Sequence, residues 1–305
     1  MKNEKTQRVC NNTQKICIFA DELQKTVTEY KKVEHWVEDL PKRGKSIFSK
    51  QEVVKQFPDM SYYSIRNALN RLAQKKKVQS VWHDFFVIIL PEYGLKSIAP
   101  PIEYIDQLMK FLGKDYYIAL LSAAALQGAA HQQPMEFFVI TNSRILRDKQ
   151  KEDVKINFVT KHNIPAQYLS QIMVNSGYVN ISCPELTAFD LIIYEKNVGG
   201  INRVATVLSE LAEVLNFEDI DEEFLKSLNV SIIQRLGYLL DLLEFAELAN
   251  FLFQKSKNTG IKFRKYPLSV LSEKNYYPDF QVNEKWKIII NEEIDVDDLW
   301  YQKNT

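Results

Sequence analysis

The sequence has no excess charge of either sign, and it is poor in the residues that most often carry catalysis or cross-links. Its 305 residues include 39 basic and 39 acidic side chains, three cysteines, four histidines and nine glycines. The three cysteines, Cys10, Cys17 and Cys183, form no CxxC pair and have no histidine at a zinc-ligand spacing, so neither a disulfide framework nor a zinc module is expected. Glycine-rich phosphate loops are absent, as are GxSxG, HExxH and kinase signatures, and the histidines (His35, His83, His131 and His162) are scattered. No catalytic set, metal or cofactor is expected. The longest nearly apolar run, Tyr116 to Ala130, is interrupted by Ser122 and Gln127 and falls short of the roughly 20 residues that span a bilayer. The polar start of the chain lacks a signal-peptide core, so a reducing, cytoplasmic setting without a membrane partner is expected.

What is present is an ordinary globular composition, 46% apolar and 26% charged, on a chain long enough for two domains. Residues 1–20 read as a polar leader. Leu23, Val27, Tyr30, Val33, Trp36, Val37 and Leu40 recur at helical steps and predict a helix from Asp21 to Leu40, ended by Pro41 and Gly44. Ser49 and Glu52 have the spacing of a capping box for a helix that stops near Phe57, before Pro58. Ser61 caps a further helix to about Lys75. Val78–Trp82 and Phe85–Leu90 flank His83-Asp84 as a hairpin. Helix, helix, helix, hairpin is the order of a winged helix-turn-helix, although a generic three-helix packing followed by an unrelated hairpin has the same order.

Past Ala99-Pro100-Pro101 the pattern becomes mixed. Helices are expected at Ile102–Leu112 and Tyr116–Ala130, and strands at Met135–Ile140 and Val154–Thr160. A hairpin is expected at Tyr168–Val174 and Tyr178–Ser182. Pro184 suits the first turn of a helix. Gly199-Gly200 precedes another helix, at Ile201–Leu215; more helix runs to about Phe253, and a strand is expected at Trp286–Ile290. The fold class is α+β, with domains at residues 21–95 and 96–305.

The whole-chain balance hides local charge. Lys42 to Lys77 holds ten basic residues against Glu52 and Asp59, a net of +8. Ala205 to Asn250 holds ten acidic residues against Lys226 and Arg235, a net of −8. At 100° per residue, Tyr63, Arg66, Asn67, Asn70 and Gln74 lie opposite the apolar face Ile65, Ala68, Leu69 and Leu72. Arginine, asparagine and glutamine are the side chains that read guanine and adenine edges. Arg71, Lys75 and Lys76 lie to one side, suited to phosphates, with Arg43 and Lys45 before the first strand and His83 at the hairpin tip. The helix start, Ser61 and Tyr62, completes this candidate DNA-binding set. A solvated helix face is the plain alternative. Asp295, Asp297 and Asp298 form an acidic loop without a partner motif for metal.

Three stretches carry a family resemblance: GKSIFSKQEVVKQFPDMSYYSIRNALNRLAQKKKVQSVW, YYIALLSAAALQGAAHQQP and SCPELTAFDLIIYEKNVGGINRVATVLSELAE, joined more loosely by KWKIIINEEI. In their order and spacing the chain resembles the AbiEi-type antitoxins of type IV toxin-antitoxin systems in phage-defence loci. The resemblance implies an N-terminal winged helix that represses its own promoter at inverted repeats. It also implies a C-terminal antitoxin domain that neutralises a nucleotidyltransferase-like toxin. Pro184, Glu185, Thr187, Asp190, Gly199, Gly200 and Arg203 then belong to the antitoxin-domain motif, with mainly structural roles. Two other functions fit the same order of elements: a nucleic-acid-processing or nucleotidyl-transferring enzyme targeted by a winged helix, and a ligand-sensing transcriptional regulator.

Overall fold

The computed structural model describes residues 30–96, 98–129, 136–142, 146, 149–151, 154–270 and 280–295. The chain divides into two compact units, Met1–Ile98 and Ala99–Thr305.

The first unit runs α1 (Val33–Asp39), β1 (Ile47–Ser49), α2 (Lys50–Gln56), α3 (Tyr62–Gln74), β2 (Val78–Trp82) and β3 (Phe85–Ile88). Its sheet has the order β1-β3-β2, antiparallel throughout. The expected capping box is present: the Glu52 amide donates to Ser49 Oγ at 3.3 Å and the Ser49 amide to Glu52 Oε2 at 2.7 Å. Ser61 Oγ accepts from the Ser64 amide at 3.2 Å and starts α3, as its position implied. The hairpin turns through His83-Asp84, where Asp84 takes φ +60°, and a bulge falls between Ser80 and Trp82. One core gathers Val33, Trp36 and Val37 from α1, Phe48 from β1, Val53 from α2, Ile65, Leu69 and Leu72 from α3, and Val78 and Ile88 from the hairpin.

The expected helix from Asp21 differs in the part that is described. Helix begins only at Val33, because Lys32 is extended at φ −140°, ψ 139°. The stretch before Tyr30 lies outside the described residues, as do Cys10, Cys17, His131, Asp297 and Asp298 and the polar leader.

The second unit is mixed α/β. Its six-stranded sheet has the order β6-β7-β5-β4-β9-β8, built from β4 (Tyr116–Ile118), β5 (Glu136–Thr141), β6 (Lys149–Lys151), β7 (Val154–Thr160), β8 (Leu169–Val174) and β9 (Gly177–Ser182). Pairs β5–β7 and β4–β9 are parallel and the rest antiparallel. The helices are α4 (Ile105–Leu112), α5 (Leu120–Leu126), α6 (Pro184–Ile193), α7 (Glu195–Val198), α8 (Ile201–Leu211), α9 (Glu222–Ser227), α10 (Val230–Leu242) and α11 (Ala246–Asn258).

Residues Glu185–Ile192 of α6 and Ile233–Leu240 of α10 are buried without a break, so both helices are covered on every side. A small sheet of Tyr266–Pro267, Val282–Asn283 and Ile288–Ile289 packs Trp286 onto α10.

Tyr116–Ile118 corrects the helix expected over Tyr116–Ala130. It is a strand between β5 and β9, and helix starts at Leu120, itself at φ +53°. A strand buried on both faces reads as one continuous apolar run, which periodicity alone cannot separate from a buried helix. The expected strand at Trp286–Ile290 shrinks to Ile288–Ile289, since Trp286 occupies the preceding turn.

Gly237 shows how tightly that turn is held. A Cβ built there would lie 2.1 Å from Cη2 of Trp286, which is fully buried. Alanine normally gains about 1 kcal/mol over glycine inside a helix, but overpacking of this kind costs about 1–3 kcal/mol or more. Gly237→Ala is therefore expected to lower the unfolding midpoint, measured by urea titration followed through Trp286 fluorescence; a midpoint at or above wild type would refute the packing.

Candidate nucleic-acid interface

The 13 residues of α3 are amphipathic, with Ile65, Leu69 and Leu72 buried in the first unit's core. Tyr62, Tyr63, Arg66, Asn70, Arg71, Gln74, Lys75 and Lys76 are exposed, and Asn67 is half-buried. Among the described residues, the side chains of Arg66, Asn67, Asn70, Arg71, Gln74 and Lys76 make no hydrogen bond or ion pair. Those from Arg66 to Gln74 lie along one continuous helix, and Lys76 follows its end at φ +53°.

Other basic residues of the +8 segment are engaged within the unit. Arg43 bonds to Asp39 through Nε at 3.0 Å and lies with its guanidinium 5.6 Å from the Tyr30 ring centroid. Lys45 pairs with Glu52, the capping-box carboxylate. Lys75 and Lys77 reach Glu34 at 3.1 and 2.8 Å, and Lys77 also reaches Glu38 at 2.6 Å. These two lysines hold the Glu34 carboxyl down to about 2. Lys50 is buried beneath the helix start, its ammonium 3.6 Å from the Tyr62 ring centroid. His83 sits exposed at the hairpin tip, its Nδ1 3.3 Å from the Asp84 carboxylate.

Sequence patterning identified the free face of α3 but missed that α1 supplies the acids that neutralise its flank. Glu34 lies 41 residues before Lys75, too far for any helical spacing to register.

The second unit buries a small set of polar and charged residues. Asp190, fully buried, accepts from Lys161 Nζ and Tyr117 Oη, both at 2.7 Å. Burial pushes its carboxyl above the ordinary value, and Lys161 and Tyr117 oppose that shift. Burial, reinforced by Asp190, also raises the Tyr117 phenol.

Other residues of the sequence motif serve the same helix. Cys183 caps α6, accepting from the Leu186 amide at 3.4 Å, and burial pushes its thiol up to about 12. Pro184 takes the first turn. Glu185 accepts from the Asn216 amide at 2.7 Å. Thr187 donates to the Cys183 carbonyl at 2.9 Å and meets Ser182 Oγ at 2.6 Å. Gly199 and Gly200 turn the chain from α7 into α8 at φ +98° and +94°, a pair of left-handed values suited to glycine. Arg203 is exposed one turn into α8. A second buried pair, Arg235 with Glu195, joins α10 to α7. Arg235 also donates to the Leu268 carbonyl at 2.6 Å, and burial lowers its guanidinium from its ordinary value.

None of these groups is arranged as a nucleophile with a base, and the described residues contain no cluster of three or more metal-ligating side chains. No described helix is long and apolar enough to cross a membrane. A first unit of helices and a three-stranded sheet that presents the polar face of α3, followed by a mixed α/β unit with an internal polar framework, makes this a two-unit protein of α and β structure.

The second unit contains a recognisable family domain. Residues 117–242 match the family model described as the AbiEi antitoxin C-terminal domain, in line with the AbiEi-type resemblance of the sequence. The crystal structure of the RV2827C protein from Mycobacterium tuberculosis shares the fold at a TM-score of 0.60 and 14% identity, over 83% of this chain and 89% of that one. No curated protein matches the chain.

Proposed function

We propose that this protein is a sequence-specific DNA-binding repressor of its own operon and the antitoxin to a nucleotidyltransferase-like toxin. The single observation that carries the DNA-binding half is the face of α3. Base-reading groups at Arg66, Asn67, Asn70 and Gln74 stand free in one row, while the opposite face is fixed in the core. Helix α3 is then the recognition helix of a winged helix-turn-helix and the β2–β3 hairpin its wing. Arg71 and Lys76 contact phosphates, and His83 contacts the backbone at the wing tip. Arg43, Lys45 and Lys75 reach phosphates only by leaving their carboxylates. Two copies on an inverted repeat place their recognition helices about 34 Å apart, one turn of duplex. The antitoxin half rests on the family domain at residues 117–242. Pro184, Glu185, Thr187, Asp190, Gly199, Gly200 and Arg203 hold that domain's shape.

Gel shifts with the DNA upstream of the protein's own reading frame test the operator reading; equal affinity for random duplex would overturn it. Arg66→Ala and Asn70→Ala are each expected to cost about 1–3 kcal/mol of specific binding, with little change on random sequence. The antitoxin reading is tested by co-expression with the neighbouring toxin, where restored growth is expected.

A further inference from the structure

The acidic balance of the second unit conceals a positive recess at one end of α11. From Gln254 to Lys265 five residues are basic and none is acidic. Lys255 is committed to the carbonyls of Phe217 and Glu218, at 2.7 and 2.8 Å. The chain then doubles back at Gly260, φ +77°, and brings Phe263 against Phe253 at 5.7 Å and against Trp286 at 5.5 Å between ring centroids. Phe253 and Phe263 line an open recess of about 500 Å³. Lys257, Lys262, Lys285 and Lys287 surround it, with Glu284 as the one lining carboxylate, already paired with Lys287.

The lysines stand over rings. Lys257 Nζ is 5.2 Å from the Phe253 centroid and 5.5 Å from that of Phe263. Among the described residues the Lys257 side chain has ring contacts alone, and the Lys262 side chain has neither a hydrogen bond nor an ion pair. Free ammonium groups beside half-exposed aromatic faces match a ligand that carries both a planar ring and negative charge. A volume of about 500 Å³ lies within the usual range of small-ligand sites, roughly 300–1,000 Å³. The positive charge is also bounded on one side, where Lys285 is held by Asp241 at 2.7 Å. A bounded patch suits one nucleotide better than a strand, which needs a basic groove that continues. An acidic peptide would satisfy the lysines and leave the rings unused.

We infer that this recess binds a nucleoside triphosphate, with its base against Phe253 and Phe263 and its phosphates on Lys257 and Lys262. The recess lies wholly in the second unit and makes no use of α3.

Isothermal titration calorimetry of the full chain tests this with ATP and GTP, with adenosine, with inorganic tripolyphosphate and with a ten-nucleotide oligothymidylate. Saturable binding of at least one triphosphate is expected, with adenosine and tripolyphosphate each weaker by about tenfold or more, since base stacking and charge each contribute about that factor. The Lys257→Ala/Lys262→Ala double variant is expected to lose about tenfold in triphosphate affinity while melting like wild type, because both side chains are exposed. Phe263→Leu is expected to lose the preference over tripolyphosphate. Absence of saturable triphosphate binding, equal affinity for tripolyphosphate, or an unchanged double variant would overturn the inference. An oligothymidylate that binds far more tightly than either triphosphate would also overturn it and assign the recess to single-stranded nucleic acid.

Discussion

Arg235→Ala is expected to destabilise the second unit strongly while leaving the first unit at its wild-type stability. The Arg235 side chain is 6% exposed and its partner Glu195 1% exposed, and the guanidinium also serves the carbonyls of Leu268 and Ile192. Truncation leaves a buried carboxylate with no counter-charge, which costs about 3–5 kcal/mol, and strips a donor from two carbonyls. Domains are stable by only about 5–15 kcal/mol, so the loss takes roughly a third to a half of a mid-range margin. Arg235→Lys is expected to recover little, because one ammonium cannot reproduce a planar group that donates in several directions. The double change Arg235→Met with Glu195→Leu is expected to come close to wild type, since it removes both charges together. Urea unfolding of variants that keep only Trp286, for the second unit, or only Trp36, in the separate core of the first, reads the two units independently. A single variant with the wild-type midpoint would show that the pair contributes nothing.

Lys161→Ala is expected to destabilise the second unit by a similar amount, about 3–5 kcal/mol near neutral pH, and to do so with a diagnostic pH dependence. Lys161 is the cation on Asp190, and burial already raises that carboxyl above its ordinary value of 3.8. A group whose folded value is raised favours folding most below its unfolded value and loses that contribution as pH rises through the folded value. Removing Lys161 raises the folded value further and enlarges the loss above it. The difference from wild type should therefore be smaller at about pH 4 than at about pH 8, since it shrinks as Asp190 takes up a proton. Denaturation midpoints at the two pH values measure it; a gap independent of pH would mean that Lys161 acts through packing alone. Asp190→Asn in the Lys161→Ala background should restore stability at the higher pH.

These two pairs mark where the sequence stops being legible. The caps at Ser49 and Ser61 are local, each satisfied within three residues, and patterning located them along with the helices they start. The polar face of α3 follows from helical periodicity in the same way. Lys161 and Asp190 are 29 residues apart, and Glu195 and Arg235 are 40 apart. No spacing rule links such positions until the sheet and helices are assembled. The same holds for Glu34 with Lys75, and for the rings at Phe253, Phe263 and Trp286, which only the return of the chain at Gly260 brings together. Tyr116–Ile118 failed for the opposite reason: its local signal is strong but ambiguous, because a central strand and a buried helix are both uniformly apolar.

The contact between Gly237 and Trp286 also sets an order of events during synthesis. Domains fold as units while the chain emerges at about 5–20 residues per second. The first unit has all of its core once Ile88 has been made. The second unit lacks the side chain that covers α10 until Trp286 arrives, nearly 50 residues after the glycine it rests on. In between, a helix built to be covered on every side stands partly bare. The first unit is thus complete on the nascent chain well before the antitoxin domain can close.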